Sequence, residues 1–104
     1  MEGEAKKLKG QATEEQISKW KKDHGEIFAV SVDGSICYLK KPNRNILSAM
    51  STLANDPIRS AEFLLNNCWL DGDTAIKDED DKFLGVVSQL GEIIKVKTAT
   101  LVKL

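Results

Sequence analysis

Apolar positions in this chain change period along its length. From Glu26 to Lys41 they come in two β-rich runs, EIFAVSV and SICYLKK, separated by Asp33-Gly34. That pair is the preferred filling of a two-residue type I′ turn, so the runs predict a β-hairpin. The turn sets the register: Val32 faces Ser35, Val30 faces Cys37, and Phe28 faces Leu39. These six form one mostly apolar face. Ile27, Ala29, Ser31, Ile36, Tyr38 and Lys40 form a more mixed one. A lone hairpin is marginal in water and has two open edges, so its apolar face needs helices.

On either side of the hairpin the spacing is helical. Thr13 and Gln16 fit a capping box, and Glu15 with Lys19 adds an i,i+4 pair. The helix they open runs to about His24, with Gly25 as its left-handed stop. Its stripe is only Ile17 and Trp20, so it must dock Trp20 onto the rest of the chain. Pro42 ends the hairpin. Asn43 caps a second helix, roughly Arg44 to Ala54, carrying Ile46, Leu47, Met50, Leu53 and Ala54 on one side. Asp56-Pro57 starts a third, running to about Trp69. There Ile58, Ala61, Leu64, Leu65, Cys68 and Trp69 share one arc, and Phe63 stands off it.

From Glu79 the wheel aligns Phe83, Val86, Val87, Leu90, Ile93, Ile94, Leu101 and Leu104. This predicts one long last helix. Leu84 and Val102 fall off that arc at a common angle. The competing reading ends the helix at Leu90 and makes IIKVKTATLV a strand, because that tail is β-branched and partly alternates. The stripe keeps phase across Gly91, which favours the helix. The expected fold is therefore α+β: an N-terminal helix, one β-hairpin, then three helices packed on it, the last one long. Residues 1–12 are polar with mixed charge and read as a flexible arm, with 13–104 as a single domain.

Composition narrows the chemistry. A chain of 104 residues with a net charge of −1 makes one thin core and no strongly basic surface. There is no apolar run long enough to span a membrane and no secretory leader pattern in MEGEAKKLKGQA, so a cytoplasmic setting with reduced Cys37 and Cys68 is expected. The single histidine, His24, sits in a last helical turn, where it suits the helix dipole. Asp71-Gly72-Asp73 and Asp78 to Asp81 invite a calcium reading. Counted from Asp71, however, an EF-hand loop puts Ile76 where glycine belongs and Lys82 where the bidentate Glu belongs. The group Asp78 to Asp81 reads instead as the cap and first turn of the last helix. No phosphate loop, CxxC, HExxH or GxSxG pattern is present. Neither enzymatic activity, nor a cofactor, nor a metal is expected.

The order of elements carries a resemblance. A helix ends in KKDHG and a short hairpin follows. Then come YLKKPNRNILSAM, DPIRSAEFLLNNCWLDGD, and an acidic-started segment ending in KTATLVKL. Over about Thr13 to Leu104 this resembles the tail assembly chaperone-like proteins of siphophages and related prophages. The resemblance implies a non-enzymatic protein of the bacterial host cytoplasm. Such a protein binds the tape measure protein, or another tail protein such as the tube subunit, before the tail polymerises. Many of these proteins are also made in a longer frameshifted form. A rival reading is a small phage regulatory or nucleic-acid-associated protein using Lys6, Lys7, Lys9, Lys21, Lys22, Lys40, Lys41 and Arg44; the near-neutral charge disfavours it. The residues singled out for partner binding are Phe63, off the core arc of the third helix, and Leu84 with Val102, as a second apolar strip on the last helix for helix-in-groove packing. The hairpin's open edges favour self-association, as a homodimer or higher oligomer.

Overall fold

The computed structural model describes residues 8–91, 93–94 and 99–104. Its fold is α+β. Helix α1 (Glu14–His24) precedes strands β1 (Ile27–Val32) and β2 (Ser35–Lys40). Helices α2 (Arg44–Ser51) and α3 (Pro57–Cys68) follow, then strand β3 (Trp69–Gly72), the short helix α4 (Ala75–Asp78) and helix α5 (Asp80–Leu90).

The local signals produce these elements. Asp33 at φ 43° and Gly34 at φ 80° make the turn, and Val32 pairs with Ser35, Val30 with Cys37 and Phe28 with Leu39. The Thr13 hydroxyl accepts from the Gln16 N–H at 3.2 Å, while the Gln16 side chain accepts from the Thr13 N–H at 3.0 Å. The Asn43 side chain caps α2 through the Ile46 N–H at 2.9 Å, and the Asp56 side chain caps α3 through the Arg59 N–H at 3.1 Å.

The sheet has a third strand that the sequence did not suggest. Its order is β1-β2-β3, all antiparallel, with a register shift between Tyr38 and Leu39. Helix α3 stops at Cys68 because Trp69 turns extended, and the chain then lies along β2. The approach is close at Gly72: a methyl group there would sit 2.6 Å from the Cys37 Cα. Four residues are too few to show a two-residue period, and their Asp-Gly pair reads as a turn.

Being central, β2 is buried from Ser35 through Leu39 on both faces. On one face Cys37, Leu39 and Val30 pack against Ala61, Leu64, Leu65 and Cys68 of α3, Ile76 of α4, and Phe83, Val86 and Leu90 of α5, with Ile93 beyond. Leu39, Leu64, Leu65, Ile76 and Val86 are completely enclosed, each worth about 1.5–3 kcal/mol of burial. Gly85 lets α5 lie against β1, since a methyl group there would meet Val32 at 2.7 Å. On the other face Trp20 of α1 packs against Tyr38, ring centroids 5.3 Å apart and planes tilted by 41°.

Three expectations change. Helix α5 ends at Leu90, so the last helix does not run on through Gly91: residues 99–104 have no regular secondary structure, and residues 92 and 95–98 lie outside the described residues. Two glycines, at 85 and 91, weaken propagation, while the β-branched tail has little helical preference of its own. Glu79 precedes α5 without a side-chain cap bond, so the acidic group contributes charge at the helix start rather than a cap. Finally, residues 8–12 of the expected arm are fastened to β2. Lys9 bridges Ser35 in parallel, with its N–H on the Gly34 carbonyl at 2.9 Å, and the Ala12 N–H reaches the Tyr38 hydroxyl at 3.2 Å. Residues 1–7 lie outside the described residues.

Candidate functional site

Two clusters stand out, one polar and one apolar. The polar cluster forms where the hairpin turn, the end of β3 and the start of α5 meet. The Ser35 hydroxyl donates to Asp73 Oδ2 at 2.6 Å, and Lys82 Nζ donates to the Ser35 Oγ at 2.8 Å. Asp73 Oδ1 accepts the Ala75 N–H at 3.0 Å, which fixes the first turn of α4. The Ser35 hydroxyl, the Ala75 N–H, and the charges of Lys9 and Lys82 hold the Asp73 carboxyl below its ordinary range.

A serine between a lysine and an aspartate resembles a nucleophile with its base, but the hydrogen bonds run the wrong way. Lys82 donates to the serine oxygen instead of accepting from it, the hydroxyl proton is already given to Asp73, and Ser35 is buried. The cluster is a fastener. It also accounts for Asp73 in the acidic turn, whose two carboxylate oxygens accept from Ser35 and Ala75. Among the described residues no group of three His, Cys, Asp or Glu side chains is placed to hold a metal ion. His24 lies exposed at the end of α1.

The apolar cluster lies between α3 and α5. Ile58 in the first turn of α3 is 47% exposed and Leu84 in the second turn of α5 is 52% exposed. They line a groove of about 330 Å³ together with Phe83, Glu62, Lys77 and Asp80. Phe83 is itself buried and belongs to the core, so the groove is built on a packed base. A small pocket of about 30 Å³ shares Phe83, Glu62 and Lys77 and reaches Leu65. Lys77 is held with its Nζ 4.2 Å from the centre of the Trp69 ring.

The structure brings only one of the three expected partner residues to this groove. Leu84 is there. Phe63 is half-buried on another side of α3, its carbonyl accepting from the Asn67 side chain at 2.8 Å. Val102 is exposed in the irregular C-terminal segment, so the shared helical strip with Leu84 does not exist. Ile58 takes their place. The helical wheel assigned it to the core arc, but in the first turn of α3 it is left open at the groove. The turn residues Asp33 and Gly34 are where the sequence put them.

Among the described residues no helix is long and apolar enough to cross a membrane. Comparison with protein-family models, with characterised proteins and with solved structures finds no match.

Proposed function

We propose that this chain is a non-enzymatic binding module that holds an amphipathic helix of a partner protein in the groove between α3 and α5. The observation that carries the reading is the pair Ile58 and Leu84, two large aliphatic side chains on neighbouring helices that flank a groove based on Phe83. Such a groove suits apolar anchors spaced at i, i+3 or i+4. Glu62 and Asp80 supply negative charge and Lys77 positive charge at its rim, which orients a helix bearing both signs.

The finer reading rests on the sequence resemblance: a tail assembly chaperone in the bacterial host cytoplasm. It keeps a helical segment of the tape measure protein, or of another tail protein, from aggregating before tail polymerisation. Anchors buried at such a contact contribute about 2 kcal/mol each or more. The test is co-expression with a tape measure protein and recovery of the complex. The double variant Ile58→Ser with Leu84→Ser should keep a melting temperature close to that of the unaltered chain and lose the complex. If that folded variant still retains the partner, the groove is not the site. If the unaltered chain recovers no tail protein but shifts DNA in a salt-dependent way, the chaperone reading gives way to a nucleic-acid one.

A further inference from the structure

Among the described residues the sheet closes one of its edges and leaves the other without a paired strand. On the β3 side, β2 is covered by Trp69–Gly72, and past the end of β3 the Lys9 segment continues the cover, accepting the Ile36 N–H at 3.0 Å. On the other side, no strand among the described residues pairs with β1 beyond its contacts to β2. In a two-residue hairpin the residues flanking the turn form a hydrogen-bonded pair, so Val32, Val30 and Phe28 point their N–H and C=O groups at β2. Those of Ile27, Ala29 and Ser31 point outward.

The strand itself does not blunt this edge. The strand IFAVSV has no charge, no proline and no bulge, and Ala29 and Ser31 are small and exposed. A groove of about 310 Å³ runs beside it, lined by Phe28, Ala29, Val30, Ser31, Gln89 and Ile93. The chain also carries an apolar segment outside the sheet. Residues 99–104, ATLVKL, have no regular secondary structure, and their apolar side chains are uncovered: Leu101 is 95% exposed, Val102 68%, and Leu104 fully. Ala99, Leu101, Val102 and Leu104 are apolar, Thr100 is β-branched, and the six residues equal β1 in length.

We propose that residues 99–104 of one copy add as a fourth strand to the β1 edge of a second copy, and reciprocally, making a two-fold dimer. The tail supplies donors and acceptors to Ile27, Ala29 and Ser31, and its Leu101 and Val102 lie over opposite faces of the extended sheet. A second copy is the occupant because the tail stands clear of its own body, and because one exchange, repeated by the two-fold axis, covers both exposed edges and both exposed tails. The surface is separate from the α3–α5 groove, so partner binding and dimer formation are measured independently.

Sedimentation equilibrium on the full chain tests it. The expected species at high concentration is a dimer of twice 11.5 kDa. Ala29→Pro removes one outward N–H without touching the β1–β2 ladder, and Leu101→Lys with Val102→Lys alters only exposed tail positions. Each should raise the dimer dissociation constant at least about tenfold, with the monomer still folded. In a mixture of differently labelled chains, NMR should show contacts between β1 of one label and the tail of the other. A monomer at every concentration overturns the proposal. So does a dimer insensitive to the tail variant, or tail contacts confined to a single chain.

Discussion

At Gly72 one methyl group decides whether the third strand lies where it does. Gly72→Ala drives a Cβ into the backbone at Cys37 and should cost about 1–3 kcal/mol in chemical denaturation, the range for overpacking a tight site. Gly91→Ala is the control: φ is −61° and the space is open, so it should be neutral or stabilise by about 0.4–1 kcal/mol. At the hairpin turn, Gly34→Val forces a β-branched residue to positive φ and should cost about 1–3 kcal/mol, read from the same denaturation curves. Asp73 adds a pH dependence. Its folded-state carboxyl titrates below the unfolded one, so the stability it contributes is present above the ordinary carboxylate range. That stability is lost as pH falls through the lowered folded value. Asp73→Asn should flatten that acid limb of a melting-temperature profile, and Ser35→Ala should move the Asp73 titration back upward in NMR. The turn pair was legible from residues alone because only a few residue types tolerate positive φ. The Ser35–Asp73–Lys82 cluster was not, because its members are brought together by the fold across separations of up to 47 residues.

Elements that carry their own start and stop signals were the ones the sequence showed. Helices α1, α2 and α3 each begin at a side-chain cap, and the hairpin has its turn. Strand β3 and helix α4 have no such autonomy. Four residues each, they form because β2 offers an open edge and because Asp73 holds the Ala75 N–H. The end of α5 was misread for a related reason: a helical wheel keeps phase through any apolar sequence, whether or not the backbone stays helical. Helix α1 has no buried residue, and its largest side chain, Trp20, meets the sheet at Tyr38. Trp20→Ala should therefore release α1, lowering helical circular dichroism by about one helix's share while the β2 core stays cooperative. Equal loss of every element would show instead that α1 is integral to the core.

In the whole molecule, core and surface divide the cysteines from the exposed aliphatics. Cys37 and Cys68 are buried, and burial pushes the Cys37 thiol from its ordinary 9.0 up to about 11 and raises that of Cys68 as well. Both should resist alkylation in the native protein and react on unfolding. The Cys37 contribution to stability is complete below pH 9 and lost as pH rises toward 11, since the unfolded chain releases the proton first. Outside the core, Ile58 and Leu84 remain uncovered at the α3–α5 groove, and that is the surface on which the functional account rests. Sequence reasoning found Leu84 but not Ile58, because whether a position on an apolar arc is covered depends on which neighbour reaches it. The most direct measurement is NMR titration of the labelled protein with a helical segment of the tape measure protein. The account predicts that shift changes gather on Ile58, Glu62, Phe83 and Leu84 and disappear in the Ile58→Ser, Leu84→Ser variant. Changes confined to β1 and the C-terminal segment, or none at saturating partner, would contradict it.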